Sequence, residues 1–219
     1  MTSFKSSVRR LGSLVFGVVA VVLLAFAGTS AEAASEPYVA INPPQATADS
    51  GKIEVLEFFQ YGCPHCRAMA PLVAKWQPNL GDDVMLIRIP VAFNPSMSSW
   101  QYLYYTLEAM NRLDLHPKVF ATVQTERNPL ATRDAVVEWA VKQGLDKAQF
   151  ESVYDSFGVR TKVNRANQLI KTYNIESVPT IIVNGSYITS PALANGYSQS
   201  LDVASSLIER VRNERKKAG

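Results

Sequence analysis

The chain predicts an α/β fold in which a helical subdomain interrupts a layer of strands and helices. Three observations carry this expectation. Ile53–Phe59 is apolar almost throughout, which suits a central strand covered on both faces. From Asn94 to about Phe157 apolar residues recur at helical spacing with no strand signal. Beyond that, Thr180–Val183, Asn184-Gly185 and Ser186–Thr189 read as a hairpin with a two-residue loop, because Asn and Gly tolerate the positive φ such a turn needs. With 47% hydrophobic and 19% charged residues, nothing in the composition argues for disorder.

The N-terminus has its own pattern. Lys5, Arg9 and Arg10 precede the apolar run Leu11–Ala27, and Ala31-Glu32-Ala33 follows it. Residues 1–33 therefore read as a secretory signal cut after Ala33. The rival is an uncleaved membrane anchor, since the run lies between the usual lengths of the two. Gly12, Gly17 and the alanine-rich end favour cleavage, and no cysteine stands near the cut to carry a lipid. Removing the segment takes three cations and one anion from a net charge of +3, leaving +1 and no basic patch that points to nucleic acid. Export would put the chain in an oxidising compartment, where a disulfide persists.

The mature chain divides into a first α/β part (34–95), a helical insertion (96–158) and a second α/β part (159–219). Residues 34–52 form a Pro-rich lead-in with one edge strand at Tyr38–Ile41. A helix from Pro64 buries Met69, Leu72, Val73 and Trp76, with a kink expected at Pro71. Val84–Val91 is the next strand. In the insertion the stripes are Trp100, Leu103, Leu107 and Met110; Val119, Phe120 and Val123; Val136, Trp139 and Ala140; and Phe150, Val153, Tyr154 and Phe157. Breaks fall at His116-Pro117, Asn128-Pro129, Gly144 and Gly158. Such stripes are core, not cofactor boxes. Val159–Tyr173 is a helix returning to the sheet, and a last helix carries Leu201, Ala204, Leu207, Ile208 and Val211.

The chemistry concentrates at Cys63-Pro64-His65-Cys66, which holds both cysteines of the chain. At a helix N-terminus the first sulfur faces unpaired N–H groups and the positive end of the helix dipole, with a second sulfur one turn away. Cys63 is thus the candidate nucleophile and Cys66 the shielded resolving thiol. Pro64 suits the first helical turn. His65 can lower the thiol pKa of Cys63 by its charge or a hydrogen bond. As a structural staple the pair would close too short a loop to constrain the unfolded chain. As a metal site, Cys63, His65 and Cys66 crowd three ligands into four residues. His116 reads as a helix-start residue without a catalytic part. No metal or cofactor is expected beyond the redox-active disulfide itself.

The order of strand, Leu56-Glu57-Phe58-Phe59, Cys63-Pro64-His65-Cys66, helical insertion and Val178-Pro179 before Ile182-Val183-Asn184-Gly185 resembles the DsbA family of periplasmic thiol:disulfide oxidoreductases, over essentially the whole mature chain. The resemblance implies a thioredoxin fold with an inserted all-helical subdomain. It implies a periplasmic, monomeric oxidase that passes the Cys63–Cys66 disulfide to reduced, unfolded secreted proteins and is reoxidised by a DsbB-like membrane quinone reductase. It also makes Val178-Pro179 a cis-proline pair, with the Val178 backbone free to bind extended substrate. Glu57 becomes a buried acid near the resolving cysteine. Arg88, also inside an apolar strand, stands where a family member can carry lysine. A second acid often found on the active-site helix is replaced by Ala70. Because an isolated buried charge is too costly, Glu57 and Arg88 are expected to pair across neighbouring strands. The competing functions are a thiol reductase or isomerase, and a non-redox binding module or metal carrier.

Overall fold

A computed structural model describes residues 36–48, 51–126 and 129–218, so the expected signal segment 1–33 and Asn128 lie outside it. Among the described residues five strands form one sheet in the order β1-β5-β4-β2-β3. They are β1 (Val39–Ala40), β2 (Ile53–Phe59), β3 (Val84–Pro90), β4 (Thr180–Val183) and β5 (Tyr187–Thr189). β2 runs parallel to β3 and antiparallel to β4, and β1 closes the edge beside β5. Every residue of β2 is buried, as its near-continuous apolar run requires for a strand covered on both faces.

Between β2 and β3 lies α1 (Pro64–Trp76), which runs through Pro71 into a 3₁₀ turn at Gln77–Asn79. Between β3 and β4 come α2 (Ser98–Ala109), α3 (His116–Gln124), α4 (Arg133–Lys142), α5 (Lys147–Tyr154) and α6 (Phe157–Thr172). The last described element is α7 (Tyr197–Ala218).

Alternation along the strands divides the core in two. Ile53 and Val55 of β2 and Ile181 and Val183 of β4 join Met69 and Val73 of α1 and Leu201, Leu207 and Ile208 of α7. Leu56, Phe58 and Ile182 face the other way, into Leu103, Leu107, Phe120, Trp139 and Phe150 of the helical insertion. Leu103, Leu107 and Phe150 are completely inaccessible to solvent, and each such burial stabilises the fold by about 1.5–3 kcal/mol. The indole N–H groups in this core are satisfied: Trp100 Nε1 donates to Pro129 O at 2.7 Å and Trp139 Nε1 to Thr122 Oγ1 at 3.0 Å.

Three local expectations need correction. Phe157 is not part of the α5 stripe but is 81% exposed. Gly158 is no break either: Ser156 caps α6 by accepting from Val159 N–H, so the helix starts at Phe157 and Gly158 lies in its first turn. The hairpin loop holds one residue more than expected. Asn184 and Gly185 occupy the turn with φ of 51° and 64°, and Ser186 N–H closes it on Val183 O at 3.0 Å. The ladder nevertheless pairs Val183 with Tyr187, leaving Ser186 as an extra residue. Glycine is required at 185 by more than its φ, because a Cβ there would stand 2.1 Å from the Gln45 carbonyl oxygen.

Candidate active site

β2 delivers the chain through Gln60, Tyr61 and Gly62 to the start of α1. Gly62 is needed for a close approach: a Cβ would lie 2.9 Å from the Trp100 ring, which reaches in from α2. Cys63 is the N-cap of α1, in extended conformation, and its sulfur takes the place of a capping oxygen by accepting from Cys66 N–H at 3.4 Å. Pro64 follows in the first turn, where its missing N–H leaves no bond unmade. Cys66 is 2% exposed, whereas Cys63 is half-buried, and both are free thiols.

The two sulfurs are driven apart electrostatically. Cys63 is lowered from the ordinary thiol value of 9.0 to about 6, chiefly by the hydrogen bond from the Cys66 thiol. The backbone N–H groups of Cys66 and His65 and the charge of His65 add to this against the opposing effect of burial. Cys66 is pushed well above the ordinary range, by its hydrogen bond to Cys63 first and by burial second, with Glu57 also contributing. One sulfur is therefore built to carry charge and the other to hold a proton.

The Val178–Pro179 bond is cis, as is Asn42–Pro43, which sequence reasoning did not anticipate. The Cys63 thiol donates to Val178 O at 3.4 Å, so the residue before the proline faces the sulfur directly. His65 is exposed, and its Nδ1 lies 2.6 Å from Tyr197 Oη at the start of α7. His65, Val178, Pro179 and Tyr197 line one cleft of about 350 Å³ beside the sulfurs.

Glu57 is 4% exposed on β2, paired in register with Arg88 on β3. Arg88 Nε donates to Glu57 Oε2 at 3.1 Å, and its Nη2 donates to Gln77 Oε1 at 2.9 Å. Burial raises the Glu57 carboxyl above its usual value, and the arginine offsets this only in part. His116 begins α3, as its position before Pro117 suggests, and packs in a cluster with Phe59, Tyr61, Tyr104 and Phe120. Its Nδ1 is 2.8 Å from Tyr61 Oη, and burial lowers its pKa to about 3, so the ring is neutral. Among the described residues, no group of three or more His, Cys, Asp or Glu could hold a metal ion.

Two residues that touch the site escaped sequence reasoning. Gln124, the last residue of α3, donates through Nε2 to Tyr61 O at 2.7 Å and to Cys63 O at 3.1 Å. Next to it Thr125 Oγ1 accepts from Arg67 Nη1 at 2.6 Å, tying α1 to the helical insertion. The other is Tyr197, the first residue of α7.

A family model described as Thioredoxin matches residues 48–203. The thiol:disulfide interchange protein DsbA of Bordetella parapertussis is 48% identical over 188 residues, covering 85% of this chain and 90% of that protein. The DsbA of Pseudomonas aeruginosa is 36% identical over 185 residues, covering 84% and 88%. The crystal structure of Pseudomonas aeruginosa DsbA matches the fold with a TM-score of 0.79 at 35% identity, over 83% of this chain and 95% of that one. A buried and a half-exposed thiol at the head of a thioredoxin-fold helix, in a chain this similar throughout, lead to one assignment: the chain belongs to the DsbA family of thiol:disulfide interchange proteins and is a disulfide oxidoreductase whose pair is Cys63 and Cys66.

Proposed function

We propose that the protein acts as an oxidase, donating the Cys63–Cys66 disulfide to reduced, unfolded secreted proteins. A substrate thiolate attacks Cys63 Sγ, the Cys63–Cys66 bond breaks, and a substrate–Cys63 mixed disulfide forms as Cys66 leaves and takes up a proton. A second substrate thiolate attacks the substrate sulfur of the mixed disulfide. The substrate departs with a new disulfide, Cys63 departs as a thiolate, and the enzyme has gained the two electrons.

The observation that carries this reading is the opposite displacement of the two thiols. A Cys63 sulfur lowered to about 6 is a good leaving group and is content as a thiolate, which favours the reduced enzyme and makes its disulfide oxidising. A Cys66 sulfur held well above the ordinary range does not linger as an anion once released. In this reading Glu57, whose field reaches Cys66 and whose carboxyl is raised by burial, exchanges that proton through water or a transient break of its bond to Arg88. Arg88 sets the field on Glu57 and takes no part in the transfer, because a guanidinium keeps its proton at working pH. The Val178 carbonyl, released from the thiol when Cys63 is bonded to substrate, is available to an extended peptide.

Export by residues 1–33 with cleavage after Ala33, action in the periplasm as a monomer, and reoxidation by a DsbB-like membrane quinone reductase complete the proposal. Among the described residues no helix is long and apolar enough to cross a membrane. Equilibration of the purified protein with glutathione buffers tests the direction. An oxidase stays largely reduced unless oxidised glutathione is in large excess. A protein that stays oxidised under reducing mixtures would be a reductase instead.

A further inference from the structure

His65 is exposed at the head of α1, and packing alone does not fix an exposed ring. What holds it is across the cleft. Its Nδ1 lies 2.6 Å from Tyr197 Oη, while the ring centroids are 6.2 Å apart and tilted by 37°, so the contact runs through the hydroxyl and not through stacking. Tyr197 is itself well anchored. Gly196 N–H donates to Pro191 O at 2.9 Å, and Ser200, completely buried, donates its hydroxyl to Tyr197 O at 2.7 Å and its N–H to Gly196 O at 3.0 Å. These bonds fix the backbone of Tyr197 at the start of α7, so its hydroxyl is presented to the imidazole from a held position.

We propose that Tyr197 is a positioning residue for His65, holding the imidazole in one orientation toward Cys63 and so making the Cys63–Cys66 disulfide more oxidising. A phenol hydroxyl can donate to an unprotonated Nδ1 and accept from a protonated one. The bond therefore survives either charge state of the ring, and the ring need not move as the sulfur beside it gains or loses charge. A fixed imidazole acts on the sulfur with its full field. A free one divides its time among rotamers, several of them turned into solvent, where water and salt screen it. Stabilising the thiolate favours the reduced enzyme in the exchange in which the enzyme disulfide and two glutathione thiols become the enzyme dithiol and one glutathione disulfide. The inference rests on the oxidase reading above, in which the stability of the Cys63 thiolate sets the oxidising power.

The test is the glutathione equilibrium constant of four purified proteins: wild type, Tyr197→Phe, His65→Ser and the double variant. Phenylalanine keeps the ring and the cleft wall and removes only the oxygen. Tyr197→Phe is expected to make the protein about three- to tenfold less oxidising, the size of one hydrogen bond's contribution. In the His65→Ser background the same change should shift the constant by less than twofold, because no imidazole remains to be held. An unchanged constant in Tyr197→Phe overturns the inference. So does an equal shift in both backgrounds, which would mean that the hydroxyl acts without His65. A wild type that is not oxidising at all would instead overturn the oxidase reading, whatever the variants do.

Discussion

Glu57 and Arg88 stand opposite one another in the parallel β2–β3 register, joined at 3.1 Å, and they are not equally dependent on the bond. The Glu57 side chain is 5% exposed, whereas that of Arg88 is 17% exposed and has a second partner in Gln77. Removing the arginine strands an almost fully buried carboxylate. Removing the carboxylate leaves a guanidinium that still has water and an amide. Arg88→Met is therefore expected to cost about 3–5 kcal/mol at neutral pH, near the full value of a broken buried pair. Glu57→Gln should cost about 1 kcal/mol, because the amide oxygen still accepts from Arg88 Nε. The pH dependence separates them further. Without Arg88 the folded Glu57 pKa, already raised, rises more, and a raised carboxyl contributes stability below its unfolded pKa that is lost as pH rises through the folded one. The Arg88→Met deficit should thus shrink in acid. Denaturant melts from pH 4.5 to 8 check this, and equal costs for the two variants would contradict it.

The same linkage applies to Cys63 with the opposite sign. Its folded pKa is depressed to about 6, so the thiolate's stabilisation is complete only above the unfolded thiol value and is lost as pH falls through about 6. In the oxidised protein neither cysteine titrates, and Glu57 is present in both forms. The stability of the reduced form minus that of the oxidised form should therefore grow between pH 5 and pH 8. At pH 7 the gain is about 1 kcal/mol, after allowing for screening at this half-exposed sulfur. The raised Cys66 thiol does not disturb this window, since it holds its proton throughout. A difference that stays flat with pH would show that Cys63 is not a stabilised thiolate.

How much of this was legible in the sequence depended on whether a residue's role is local. The C-x-x-C at a helix head, the two-sided strand β2 and the helical stripes are fixed by short-range periodicity and capping, and, Phe157 apart, the structure places them as read. The Glu57–Arg88 pair was legible too, for an energetic reason: two charges inside apolar strands have few alternatives to each other. Phe157 misled because helical spacing cannot see that one helix stops at Tyr154 and Ser156 caps the next, which turns the ring outward. Ser186 misled because an Asn-Gly turn signals a tight reversal but not the extra residue beyond it. Gln124 and Tyr197 carried no signal at all. Each is one polar residue at a helix end, and its partner lies 61 or 132 positions away in the chain.

His116 offers a test of burial without catalysis. The Tyr61 hydroxyl, on a completely buried residue, has His116 Nδ1 as its partner at 2.8 Å. His116→Phe keeps the aromatic packing and orphans that hydroxyl, which should cost about 1–3 kcal/mol at pH 7. The neutral ring also makes the wild type acid-sensitive: a lowered base pKa contributes stability above the unfolded value that fades as pH falls toward about 3. The gap between variant and wild type should narrow below pH 6.5, with thiol oxidation rates little changed throughout. A loss of oxidation rate at unchanged stability would instead place His116 in the chemistry.

Gln124 gives the helical insertion a grip on the active-site loop, since one amide nitrogen serves both the Tyr61 and Cys63 carbonyls. Two substitutions separate its mechanical part from its electrostatic one. Gln124→Met removes both donated bonds and adds no charge. Cys63 O keeps its bond from Arg67 N–H at 3.2 Å, so the main loss is at Tyr61 O, and about 1–2 kcal/mol of stability should go with it. Gln124→Glu has nearly the same shape, but its carboxylate can only accept, so it meets two carbonyl oxygens with no proton to offer. It also brings a negative charge within one residue's reach of the Cys63 sulfur, and a like charge disfavours the thiolate. Thiolate absorbance followed against pH should therefore show the Cys63 pKa higher in Gln124→Glu than in wild type, with Gln124→Met close to wild type. The glutathione equilibrium should move the same way, to a less oxidising protein for the glutamate variant alone. If the methionine variant raised the thiol pKa as far as the glutamate one, loop geometry and not charge would be what Gln124 controls. If neither variant lost stability, the two carbonyls would be served by water, and the grip of α3 on the loop would be of no consequence.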